Sequence, residues 1–379
     1  MRTPPLKDLG RSWRDRSLAS PRFTRLAGRL PRPSGGRWER LLPVARDGAP
    51  TGLPDDVVDA ALTKLGGGRP QRIAHVRLGG WKPDAWTTRV FVTDEAGARH
   101  TFVCKLTDYD DQVPAFDGLP FEPGLPEHGV LSSVERDGGG ELGTWMPAPL
   151  TSRHLGGRRF VFAITDVGAT HHARSDPDSM LRAIDALAPL HEALDGAALD
   201  GAELLDLRPT SGRGALVEYV GRHLTAAPES GADELAGRAA ELVDACATPA
   251  WASATVRTVH GDPNRSNVVF PRRGRPLFID WEWAGVGPEH GDLACLTKVL
   301  PVELEDEGVR RFAAARTATD LDAHRELHQR AKLLRALLDS SFLCAQRSAR
   351  PGGVRFDIDG PIGRAHAAAA ALGLAGART

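Results

Sequence analysis

His260, Gly261, Asp262 and Asn267 lie in one short stretch, H-G-D-P-N-R-S-N, and Asp280 follows in F-I-D-W-E. An acid stands five residues before an amide, and a second acid stands eighteen residues after the first. Phosphoryl transfer from ATP needs these residue types. A carboxylate accepts a hydroxyl proton, and an amide oxygen with a second carboxylate ligates Mg²⁺, whose remaining positions go to water and phosphate. On this reading Asp262 is the base and Asn267 and Asp280 are the metal ligands, while His260 braces the loop. Asp and Asn also favour ordinary turns, but all three at this spacing between strands make a coincidence of turns a poor account.

The elements around the stretch support the assignment. Thr255 to Val259 (T-V-R-T-V) reads as a strand leading into His260, and Pro263 forces a turn. Asn267 opens a second strand, N-V-V-F, and a hairpin turn over Pro271 to Arg275 leads through Leu277-Phe278-Ile279 to Asp280. A hairpin joins the ends of its strands, so Asn267 and Asp280 are expected within reach of one ion.

Nearer the start, Asp55 to Leu65 carries a helical stripe of Val57, Val58, Ala61 and Leu62 and ends at Gly66-Gly67-Gly68. Three strands are expected next, at Arg72–Leu78, Arg89–Thr93 and Thr101–Leu106. Gly79-Gly80 lies at the turn between the first two, where a nucleotide's phosphates could be covered. Lys105, alternating with Val103 and Leu106 on the third, could reach the α- and β-phosphates if a carboxylate holds it. Glu122 is the first candidate and Glu127 the second, because prolines at 114–126 obscure the register. A further strand is expected at Arg159–Thr165. Helices are expected at Ser179–Leu194, 213–225, 231–247 and 321–348. The change from strand-rich to helix-rich near residue 170 suggests two lobes. The organisation expected is an extension over 1–50, a nucleotide-binding lobe over 51–165, and a catalytic and acceptor-binding lobe over 166–379.

Composition narrows the classes. The 379 residues carry a net charge of −1, so no global field favours nucleic acid or an anionic membrane. Residues 1–50 hold twelve Lys/Arg against four Asp/Glu, which fits a loosely docked extension, a docking arm or, less well, a transit peptide. Arg outnumbers Lys 42 to 6, a coding bias more than a binding device. Four scattered cysteines (Cys104, Cys246, Cys295, Cys344) argue against zinc or a disulfide framework and for a cytoplasmic setting. No run of about 18 apolar residues could span a membrane. There is no G-x-x-x-x-G-K-[ST], no G-x-G-x-x-G leading from strand to helix, and no G-x-S-x-G.

V-H-G-D-P-N-R-S-N-V followed by F-I-D-W-E-W-A-G-V-G-P-E-H-G-D-L-A resembles the aminoglycoside phosphotransferase/choline kinase family. The resemblance is specific over residues 255–295 and weaker over 55–195. It implies an α+β, bilobal protein-kinase-like fold, with a small antiparallel N-lobe sheet, a mainly helical C-lobe, and ATP with Mg²⁺ between the lobes. It assigns Asp262 as base, Asn267 and Asp280 as magnesium ligands, and Lys105 with Glu122 as the phosphate anchor. It makes 164–167, with Asp166, the stretch that meets adenine, and gives Asp292 a supporting role behind the catalytic loop. The acceptor expected is a small-molecule hydroxyl, as in an aminoglycoside-like antibiotic or an amino sugar or alcohol, with no nucleic acid or membrane partner. Glu282, Glu289, Glu303, Glu305, Asp306 and Glu307 would favour a cationic acceptor, unless 302–308 is simply a solvated helix start. Trp281 and Trp283 either pack a substrate ring or fill core. The alternative is a catalytically weak, nucleotide-binding pseudokinase. A protein kinase is disfavoured by the H-G-D form and the absence of D-F-G and A-P-E.

Overall fold

The computed structural model describes residues 53–374 apart from 80–85, 109–117, 120–124, 139, 158, 169, 173–175, 200, 228–230, 249–255, 272–273, 317–319 and 350–356. By internal contacts the chain divides into two units. One holds the residues up to 110, Leu131–His172 and Val269–Leu277; the other holds 111–130, Ala173–Val268 and Phe278–Thr379.

The first unit opens with α1 (Asp55–Lys64), followed by β1 (Pro70–Gly79), β2 (Trp86–Asp94) and β3 (Arg99–Asp108). After α2 (Leu125–Arg136), whose prolines are confined to its first turn and before, come β4 (Pro149–Gly156), β5 (Arg159–Thr165) and β6 (Thr170–His172). The five-stranded sheet has the order β1-β2-β3-β5-β4 and is antiparallel throughout. Alternation sorts its two faces. Phe102, Cys104 and Leu106 of β3, with Val90, Val92, Val161 and Ala163, bury against Val57, Val58, Ala61 and Leu62 of α1. Each such aliphatic or aromatic side chain contributes about 1.5–3 kcal/mol by leaving water. Lys105 points the other way, sharing its face with Val103, so Leu106 is not on the lysine's side. β4 is an edge strand that the sequence pattern does not mark, since it begins at Pro149, ends at Gly156 and exposes Arg153 and Leu155.

The second unit is mainly helical. Its α3 (Pro177–Asp185) and α4 (Leu187–Asp195) replace the single helix expected over 179–194. Pro189 explains the break. It has no N–H to offer the carbonyl of Asp185 and its ring would clash there. Asp176 caps α3, accepting from Asp178 N at 3.2 Å and from Ser179 Oγ at 2.5 Å. After β7 (Leu205–Asp206) and α5 (Arg213–Thr225) the expected helix at 231–247 is also two, α6 (Ala232–Gly237) and α7 (Ala239–Cys246), parted beside the weak helix former Gly237. β8 (Val256–Val259) and β11 (Gly285–Pro288) belong to this unit, whereas the hairpin of β9 (Val268–Pro271) and β10 (Leu277–Phe278) falls almost wholly in the first. β11 lies between β7 and β8, and β9 lies between β10 and β6. Then follow α8 (His290–Thr297), α9 (Val302–Ala315), α10 (Leu321–Ala349) and α11 (Asp359–Ala371). Leu333, Ala336, Leu337 and Cys344 of α10 pack with α5, α6, α7 and α11 in one core cluster of this unit. Among the described residues no helix is long and apolar enough to cross a membrane.

Candidate active site

The loop after β8 is fixed from behind by one buried carboxylate. Asp292, in the first turn of α8, is wholly inaccessible to solvent. Its Oδ2 accepts from His260 N at 2.9 Å and its Oδ1 from Gly261 N at 2.8 Å. His191 of α4 donates to Oδ2 through Nε2 at 2.9 Å. A buried carboxylate is tolerable only when donors replace its water, and these three do so. His191 in turn accepts from Arg316 Nη2 at Nδ1 (2.9 Å).

Gly261 is obligatory. Its φ is +82°, and a Cβ there would lie 1.9 Å from the Trp283 carbonyl oxygen. His260 is buried and neutral. Its Nε2–H donates to the Ile279 carbonyl at 3.1 Å, and its Nδ1 accepts from Asp262 N at 3.3 Å. Burial pushes its pKa below the usual histidine range, as a residue that braces and does not titrate requires. Trp281 lies against the His260 ring, centroids 4.4 Å apart, and is buried. That tryptophan is core, not a platform for substrate.

Asp262 is gripped at both oxygens. Oδ2 accepts from Asn264 Nδ2 at 2.9 Å and from Asn267 Nδ2 at 3.4 Å. Oδ1 accepts from Arg335 Nη2 at 2.6 Å, and the Cys295 thiol is 3.9 Å away. Burial raises the Asp262 pKa above the usual carboxylate range, against the opposing charges of Arg335 and Lys298. Cys295 is itself inert, its thiol pushed up to about 12 by burial. Asn264 also closes the turn, its Oδ1 accepting from Ser266 N at 2.8 Å.

Asn267, buried just before β9, donates to the Asp262 carbonyl at 2.9 Å, which leaves its amide oxygen as the group available to a cation. Ile279 N donates to the Asn267 carbonyl at 2.9 Å, so the β9–β10 hairpin sets Asp280 one residue from the position opposite Asn267. Asp280 has a φ of +69°, which few non-glycine residues adopt. An amide and a carboxylate are the oxygen donors that suit Mg²⁺. Among the described residues no group of three His, Cys, Asp or Glu forms a self-sufficient metal cage.

The sheet carries the remaining sequence candidates. Lys105 pairs with Thr87 on β2 and Phe162 on β5. Gly79 is the last residue of β1, beside a register shift. Asp166 follows β5, and its carboxylate binds Arg89 at 2.9 Å and accepts from Gly168 N at 3.1 Å. Glu127 is buried in the first turn of α2. Gly80 and Glu122 lie outside the described residues. Three of the four acids in the α9 run are paired within their own unit. Glu305 pairs with Lys332, Asp306 with Arg310 and Arg325, and Glu307 with Arg310 and Arg311. Glu289 meets Arg316 at 2.6 Å.

Sequence reading missed Arg335, Lys298, Asp339 and Asn264. Asn264 lies inside the H-G-D-P-N-R-S-N stretch, but its spacing from Asp262 carries no known role. The other three sit far along the chain in charged helical surroundings that carry no motif.

The family model of the phosphotransferase enzyme family (APH) matches residues 83–327. The chain belongs to that family. Choline kinase LicA from Streptococcus pneumoniae superposes with a TM-score of 0.51 at 14% identity, covering 84% of this chain and 98% of LicA. A choline/ethanolamine kinase family protein from Mesorhizobium loti gives 0.52 at 16%, over 78% and 87% of the two chains. The GDP and kanamycin complex of APH(2")-IIia gives 0.52 at 14%, over 84% and 98%. Such identities establish a shared kinase-like α+β fold. A comparison with curated proteins finds no match. As an APH-family member the chain is a small-molecule phosphotransferase, a kinase in the broad sense.

Proposed function

We propose that this phosphotransferase moves the γ-phosphate of ATP, with Mg²⁺, to the hydroxyl of a small molecule of the aminoglycoside, amino sugar or amino alcohol kind. The observation that carries the reading is the Asp262 carboxylate, held at both oxygens in the loop after β8 and flanked by Asn267 and the hairpin to Asp280. Asp262 receives the acceptor's proton as attack proceeds, and the loop fixes its direction. Asn267 and Asp280 would hold the divalent cation, which when bound neutralises charge on the phosphate oxygens. Lys105 would take the α- and β-phosphates, with Glu122 or Glu127 as its carboxylate. The fold neighbours include complexes with AMP and GDP, which supports a nucleotide donor. The acceptor class rests on the neighbours choline kinase and APH(2")-IIia. The partnered acid run on α9 offers no argument for a cationic acceptor.

The test is a phosphoryl-transfer panel with Mg·ATP and Mg·GTP against kanamycin, spectinomycin, a macrolide, choline, ethanolamine and glucosamine. Ester formation should be seen with at least one acceptor and should stop on chelation of Mg²⁺. Tight nucleotide binding without ester on any acceptor would favour the pseudokinase alternative.

A further inference from the structure

Helix α10 has a polar stripe opposite its core face. His324, His328, Lys332, Arg335 and Asp339 follow one another at helical spacing, and each meets a group on another element. His324 meets His290 at 3.0 Å, His328 meets Thr297 at 2.8 Å, Lys332 meets Glu305, and Asp339 meets Lys298 at 3.3 Å. Arg335 is the member that reaches the catalytic loop. Its Nη2 donates to Asp262 Oδ1 at 2.6 Å and its Nη1 to the Gly261 carbonyl at 3.0 Å. Its Nε donates to Asp339 Oδ1 at 2.8 Å, so the guanidinium is fixed on a third side. A planar fork bound at three points sets direction as well as distance, which a lysine could not do.

The two oxygens of Asp262 are therefore unlike. Oδ1 carries the charged donor from α10, whereas Oδ2 carries the amide donors of Asn264 and Asn267. We infer that Arg335, anchored by Asp339, is a positioning residue that holds Asp262 by Oδ1 and presents Oδ2 to the acceptor hydroxyl. The inference rests on the phosphotransferase reading above. In the step, the acceptor oxygen bonds to the γ-phosphorus while its proton passes to Oδ2. The bond from that phosphorus to the β,γ-bridging oxygen breaks with its electron pair left on ADP. Arg335 touches none of these atoms; it acts through Asp262.

The experiment compares wild type with Arg335→Ala, Arg335→Lys, Asp339→Ala and the double variant Arg335→Ala/Asp339→Ala. Mg·ATP turnover is read with water as acceptor and with whichever panel compound is phosphorylated. Thermal unfolding is followed in parallel. Arg335→Ala should lose about 10²-fold in kcat, the scale of a misplaced catalytic group, with KM for Mg·ATP within about three-fold. Arg335→Lys should keep the fold and recover only part of kcat. Added guanidinium ion should restore several-fold activity to Arg335→Ala and none to wild type. The double variant should be no slower than Arg335→Ala, because Asp339 acts through the arginine. A folded Arg335→Ala within about two-fold of wild type would overturn the inference and leave the phosphotransferase reading intact. So would a parallel loss of kcat and nucleotide affinity without guanidinium rescue, which marks a structural prop. Wild type that turns over Mg·ATP with neither water nor any panel compound would instead remove the phosphotransferase reading, and the role of Arg335 with it.

Discussion

In the helical unit, the loop from His260 to Asn267 holds its side chains by many short bonds. Asp292 takes three donors, Asp262 at least three, and the backbone adopts conformations at Gly261 and Asp280 that an ordinary extended segment avoids. In the five-stranded sheet of the other unit, Lys105 sits in regular extended backbone. Ladder pairing sets its backbone between Thr87 and Phe162, while the opposite face of the sheet packs its core against α1. The loop couples its chemistry to its stability, because the groups that orient Asp262 also satisfy buried backbone. The sheet is built differently: one face packs on α1, and the face of Lys105 also carries the buried Phe160 and Phe162 of β5.

The comparison can be broken at either end. Asp292→Ala should cost about 3–5 kcal/mol in chemical denaturation, since it strands two backbone N–H groups and His191 in a dry interior. A loss below about 1 kcal/mol would mean the loop is not held as described. Lys105→Met should do the reverse, lowering kcat/KM for Mg·ATP by about 10²-fold while its stability changes by about 0.5 kcal/mol or less. Unfolding of that variant would show that Lys105 serves the fold and not the nucleotide.

The helical unit should also be the acid-sensitive one. Burial depresses His290 and His328 to about 3, whereas in an unfolded chain each takes up a proton near pH 6.5. Above pH 6.5 both states are neutral and nothing is lost. Below it the unfolded chain binds more protons, so stability falls as pH falls, by about 1.4 kcal/mol per pH unit for each group. Denaturation midpoints should fall between pH 7 and pH 5, and His328→Gln should remove its own share of about 1.4 kcal/mol per pH unit. A flat profile would show that these histidines are solvated. The smallest effect is expected on α9. Asp306→Ala should change stability by about 0.5 kcal/mol or less, because its pairs with Arg310 and Arg325 are exposed. It should leave the KM of any cationic acceptor unchanged, and a large rise would put the acid run back in the acceptor site.

The same contrast explains what could be read from the chain. The placement of Asp262, Asn267 and Asp280 around one loop and hairpin was legible because nineteen residues contain them all, and local rules govern such segments. α1 and four of the five strands of the sheet were legible from periodicity, and the edge strand β4 was not. Arg335 was not, since its meeting with Asp262 depends on packing across seventy-three residues. A signal did exist in the stripe from His324 to Asp339 on a helix that sequence had located, although it names no partner. The helices at 179–194 and 231–247 were joined in error, because the apolar period runs on through Pro189 and Gly237 while the backbone hydrogen bonds do not.

The central claim is that Asp262, held in this loop, is the base of phosphoryl transfer from Mg·ATP. It is tested most directly by measuring single-turnover transfer and nucleotide affinity in Asp262→Asn beside wild type. The account predicts a loss in the range of 10²- to 10⁴-fold in the transfer rate, with Mg·ATP binding within about three-fold. A variant that transfers phosphate at the wild-type rate would contradict it.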